Sequence, residues 1–90
     1  MDQIRRMVYF SGRVQGVGFR ATARWLARDY AVAGHVRNLP DGRVELIVEG
    51  TPLELDRFVE RLCQEMEGYI ANLDQQESPG SGLEGFHIAY

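Results

Sequence analysis

Lysine is absent from this chain, and all ten basic residues are arginine. Genome composition explains that as readily as function does, and it carries no functional weight. Cysteine occurs once, as Cys63, which excludes an intrachain disulfide and a thiolate metal site and suits a reducing compartment. Long apolar runs are missing too, none approaching the roughly 18 residues of a membrane span. Behind the charges of Met1-Asp2-Gln3-Ile4-Arg5-Arg6 no apolar segment is long enough for a signal peptide, so a cytoplasmic protein with no membrane partner is expected. No acidic cluster has magnesium spacing, and neither a Ser/His/Asp nor a Cys/His set can be assembled, so neither metal nor cofactor is expected. The length of 90 residues suits one domain, 1–90, with one sheet and a helical layer, and is too short for a doubly wound nucleotide fold.

The charge that is present is unevenly spread. The net value of −3 argues against general nucleic-acid binding. Residues 1–43 nevertheless hold eight arginines against three acids, while 44–90 hold two arginines against ten acids. The positive half contains Gly12-Arg13-Val14-Gln15-Gly16-Val17-Gly18-Phe19-Arg20, where an alternating apolar run ends in a glycine-rich bend and a helical pattern begins. Gly16 and Gly18 tolerate positive φ, so the amides of Gln15, Gly16, Val17, Gly18 and Phe19 can converge without Cβ clashes. A helix starting near Phe19 adds its unpaired N–H groups and positive dipole end. Arg20 supplies a permanently charged fork suited to the paired oxygens of a phosphoryl group. The stretch is a candidate anion cradle.

Along the chain, Met7 to Val14 alternates as a half-buried strand, with Val8, Phe10, Gly12 and Val14 on one face. Phe19, Ala23, Leu26, Ala27 and Tyr30 form one stripe of a helix from about Phe19 to Tyr30, leaving Trp25 partly exposed at its edge. His35 to Leu39 and Arg43 to Glu49 form a hairpin across Pro40-Asp41-Gly42, with Val44, Leu46 and Val48 inward. Thr51 caps a second helix, Pro52 opens it and Glu54 completes a capping box. Leu55, Phe58, Val59, Leu62, Cys63 and Met66 make its apolar stripe, and Gly68 ends it. Tyr69 to Glu77 and Phe86 to Tyr90 read as the last strands, separated by Ser78-Pro79-Gly80-Ser81-Gly82.

This order is that of the α+β, ferredoxin-like (split βαβ) sandwich: βαββαβ plus a short fifth strand, two helices on one face of an antiparallel sheet. Its crossovers bring the end of the first strand, with the bend and Arg20, to the same sheet edge as the end of the second, with Asn38.

The Gln15 to Arg20 stretch resembles the signature of the acylphosphatase family, small enzymes that hydrolyse carboxylic-phosphoric mixed anhydrides. Gly34-His35-Val36-Arg37-Asn38-Leu39-Pro40-Asp41-Gly42-Arg43-Val44-Glu45 is similar to the family's strand, hairpin and strand, with Asn38 where the family keeps its water-positioning residue. The likeness runs from about Met7 to Tyr90. It implies metal-independent attack of a positioned water on the phosphoryl group, with Arg20 and the bend amides holding phosphate and Asn38 holding water. Acetyl, carbamoyl, aspartyl and glyceroyl phosphates are the implied substrates, with inorganic phosphate as product and inhibitor and a monomer as the expected state. The chain departs from the family at Ala31, where glycine is frequent, and at His35, where an aromatic is frequent. His35 and His87 read as ordinary sheet residues, and Cys63 as a core residue.

Three rival readings compete. Gly16-Val17-Gly18-Phe19-Arg20-Ala21 matches a dinucleotide fingerprint, but no acid ends the second strand to bind a ribose. An RNA-binding sheet needs central aromatics, and only Tyr9 is available beside Glu45, Ile47 and Glu49, whose acids would repel a phosphate backbone. A non-catalytic anion-sensing module would keep the cradle but have no use for Asn38.

Overall fold

The computed structural model describes residues 2–90. Met1, with which the segment expected to contain no signal peptide begins, lies outside the described residues. Strand β1 (Ile4–Gly12) turns Arg6, Val8 and Phe10 toward the core. It begins three residues before the expected Met7 because the inward position at 6 holds an arginine, which in sequence looks like surface. Arg6 is buried through ion pairs with Asp56 and Glu77, the latter at 2.7 Å. The strand ends at Gly12, not Val14, where its pairing with β4 (Ile70–Pro79) shifts register. A Cβ at Gly12 would lie 2.5 Å from the Tyr69 carbonyl oxygen, so a side chain there would push the two strands apart. Val14 is still fully buried, from the loop.

Helix α1 (Phe19–Ala27) buries Phe19, Ala23, Leu26 and Ala27 and leaves Trp25 60% exposed at its edge, as the spacing predicts. It stops three residues short of Tyr30, and its exit is tightened by Asp29 N–H to Leu26 C=O at 2.9 Å. The missing terminal glycine is replaced from elsewhere in the fold: the Glu54 carboxylate accepts from Ala31 N–H at 2.9 Å. Glu54 lies in α2 (Pro52–Glu65), whose Thr51 cap accepts from Glu54 N–H at 3.3 Å. The capping box is therefore half made, because the acid that would close it reaches across to the other helix.

β2 (Ala33–Asn38) and β3 (Val44–Gly50) pair antiparallel, with Val44, Leu46 and Val48 fully buried. The strand β5 (Phe86–Ile88) completes a sheet of order β4-β1-β3-β2-β5. The first four strands pair antiparallel, as expected, whereas β5 adds parallel to β2, so the sheet is mixed. β1 and β2 both oppose β3 and so run the same way, with the core of Phe10, Leu46, Leu26 and Phe58 between sheet and helices. On the opposite sheet face one expectation is corrected. Glu45 and Glu49 are not a bare acidic strip but buried acids, paired with Arg37 at 2.6 Å and Arg5 at 2.9 Å.

Candidate active site

The bend after β1 is shaped by its glycines. Gly16 has φ 76° and Gly18 φ 80°, and a Cβ at either would meet nothing within 4 Å. Glycine is needed there for its backbone conformation and not for space. Gly18 is the N-cap of α1 in the left-handed region, with no side-chain cap and no acid in the first turn. The first bond of the helix runs from Thr22 N–H to the Gly18 carbonyl at 2.9 Å. The amides of Phe19, Arg20 and Ala21 precede that bond and take nothing from the helix, so they remain available to an anion.

Gln15 fixes this bend to the hairpin. Its Nε2 donates to the carbonyls of Leu39 at 2.8 Å and Arg43 at 3.0 Å. The hairpin is itself rigid: Gly42 N–H bonds Leu39 C=O at 3.1 Å, Leu39 N–H bonds Arg43 C=O at 2.8 Å, and Gly42 takes φ 95°. The Asp41 carboxylate accepts from the Arg43 amide and guanidinium, which hold its carboxyl below the usual range. The side chain of Gln15 thus ties the cradle to the end of β2, where Asn38 sits. Val17 packs against the core.

A cavity of about 270 Å³ opens between these elements, and Gly16, Gly18, Phe19, Arg20 and Asn38 all line it. Residues separated by eighteen positions in sequence, Arg20 and Asn38, therefore share one mouth. Gln15 and Val17 are not among the lining residues; the Gln15 side chain anchors the bend to the hairpin, and Val17 packs against the core. The Oδ1 of Asn38 is buried, and among the described residues nothing donates to it. A buried carbonyl without a donor costs about 1–3 kcal/mol.

Four lining residues lie outside the site expected from sequence: Val14, Ala21, Ile88 and Tyr90. β5 lies beside β2, and Ala89 N–H bonds the Val36 carbonyl at 2.9 Å, which brings Ile88 and Tyr90 to the cavity. The Arg20 guanidinium carbon lies 5.1 Å from the centre of the Tyr90 ring. Tyr90 is 96% exposed, so the contact leaves the cation charged and holds it only loosely. No local motif marks Tyr90; only the parallel pairing of the last strand places it here.

The family model described as acylphosphatase matches residues 6–88. An acylphosphatase of Synechococcus sp. is 42% identical over 97% of this chain and 94% of its own length. One of Haloarcula marismortui is 39% identical over the full length of both chains. The crystal structure of acylphosphatase from Bacillus subtilis superposes with a TM-score of 0.89 at 35% identity, covering 97% of this chain and 99% of the other.

Proposed function

The chain belongs to the acylphosphatase family and hydrolyses acyl phosphates, and from that premise we propose how its own residues divide the reaction. The transferred phosphoryl group rests on the bend amides from Gln15 to Phe19, with the Arg20 guanidinium across its equatorial oxygens. Asn38 Oδ1 accepts a hydrogen bond from the attacking water and turns a lone pair of that water toward phosphorus. The new oxygen–phosphorus bond forms as the bond from phosphorus to the acyl oxygen breaks. The carboxylate leaves with the bonding pair and needs no proton, and the proton lost by water passes to a phosphate oxygen or solvent. What the protein supplies is charge and alignment.

The observation that supports this division best is the orphaned Asn38 Oδ1 bordering the same cavity as Arg20 and the uncapped start of α1. Among the described residues no helix is long and apolar enough to cross a membrane. From the family's character and the charge pattern we read residues 1–90 as one cytoplasmic, monomeric domain that uses neither metal nor nucleic acid and is inhibited by its product, inorganic phosphate.

The test is kinetic. Arg20→Gln and Asn38→Ala should each lower kcat/KM for benzoyl phosphate by about a hundredfold or more, the size of one lost oxyanion donor, with unchanged circular dichroism. Wild-type turnover should persist in the presence of a chelator. If both variants fold and hydrolyse benzoyl phosphate at the wild-type rate, the residue roles are wrong.

A further inference from the structure

A second concavity of about 600 Å³ adjoins the phosphoryl cavity and shares Ala21 and Ile88 with it. It runs between α1 and β5. Its floor and wall are apolar, with Val32, Phe86 and the exposed Trp25, and Arg24 and Arg28 stand on its helical side.

The charge there is distinctive within this chain. Arg5, Arg6, Arg37, Arg43, Arg57 and Arg61 each pair with a carboxylate. Among the described residues, the side chains of Arg24 and Arg28 take no ion-pair or hydrogen-bond partner, and neither do those of Arg20 and of Arg13, the last of which lines neither cavity. Arg20 and Arg24 fall at i and i+4 on α1, and Arg28, its C-cap in helical conformation, falls at i+8, so Arg20, Arg24 and Arg28 form one row with a spacing of about 6 Å along the helix axis. The first stands at the phosphoryl cavity and the other two beside the apolar groove.

We propose that this groove is an acyl subsite, and that Arg24 and Arg28 select acyl phosphates whose acyl group is apolar and ends in a carboxylate. The inference rests on the reading of the phosphoryl cavity given above. With the phosphoryl group at Arg20, the acyl group has to leave the cavity, and the groove continues it past Ala21 and Ile88. An aromatic or aliphatic acyl body covers Trp25 and Phe86, while a distal carboxylate meets the arginine row one or two helical turns away. An acetyl group is too short to reach either. Contacts to a part of the substrate that does not react bind ground state and transition state alike, so their effect belongs in KM.

The test compares benzoyl phosphate with 4-carboxybenzoyl phosphate, whose rigid ring carries the second anion away from the phosphoryl end. Both are assayed with wild type and with the Arg24→Gln, Arg28→Gln double variant, whose exposed helical positions tolerate glutamine. The electronic effect of the substituent is the same for both enzymes and cancels in the comparison. The variant should lose about fivefold or more in kcat/KM on the carboxylated substrate beyond its loss on benzoyl phosphate, the upper range for exposed ion pairs. The extra loss should lie in KM and shrink as salt is raised. Equal losses on both substrates, or an extra loss confined to kcat, overturn the acyl subsite and leave the phosphoryl site standing. If wild type turns over neither substrate, the reading of the phosphoryl site fails and the subsite fails with it.

Discussion

Glu49 offers a prediction whose size follows from the structure. Its side chain is 1% exposed, and its carboxylate accepts from Ser81 N–H at 2.9 Å, Gly82 N–H at 2.9 Å, Leu83 N–H at 3.0 Å, the Ser81 hydroxyl at 2.9 Å and Arg5 Nε at 2.9 Å. Burial alone would push its pKa up. The Leu83 and Ser81 amides, the Ser81 hydroxyl and Arg5 outweigh that and bring it from 4.5 down to about 2. Because the folded-state value is depressed, the stabilisation is complete above pH 4.5 and is lost as pH falls from there to about 2. At about 1.4 kcal/mol per pH unit, the gap corresponds to about 3 kcal/mol. That is a large share of the roughly 5–14 kcal/mol expected for a domain of this size. Urea unfolding midpoints across that window, for wild type and for Glu49→Gln, isolate the contribution. The variant should be less stable at neutral pH, since one amide oxygen does not satisfy the converging donors, and the difference should close by about 3 kcal/mol toward pH 2. Two curves that stay parallel would refute the reasoning. The segment that Glu49 grips leads into β5, so the neutral-pH variant should also bind substrate more weakly, seen as a raised KM.

Asn38→Ala should keep or raise stability, by up to about 2 kcal/mol in urea unfolding, while activity falls, because it removes a buried acceptor that nothing among the described residues satisfies. Gln15→Ala should cost about 1–2 kcal/mol by the same measurement and lower kcat about tenfold with KM little changed, since the bend loses both bonds that fix it to the Asn38 hairpin.

The parts of the fold that depend on local chemistry were legible in the sequence. The bend at Gly16 and Gly18 follows from the tolerance of glycine for positive φ, and the buried stripes of both helices follow from spacing, although Tyr30 and Cys63, expected in them, are only partly buried. What escaped depends on partners far away in sequence. Arg6 looks like surface until Asp56 and Glu77 close over it, so the alternation visible in sequence begins only at Met7. Glu45 and Glu49 looked like solvent-facing acids because their arginines and the loop amides come from other strands. The end of α1 carries no stop signal of its own, since the group that finishes it is the carboxylate of Glu54 on α2. Arg20 and Asn38 were read from their two motifs together, whereas Tyr90 depends on a parallel strand pairing that no motif announces.

The central claim is that water held at Asn38 attacks phosphorus in the cradle, and not the acyl carbon. Hydrolysis of benzoyl phosphate in ¹⁸O-enriched water, with the products separated and weighed by mass spectrometry, tests it directly. The account predicts one labelled oxygen in the inorganic phosphate and none in the benzoate; label in the benzoate would contradict it.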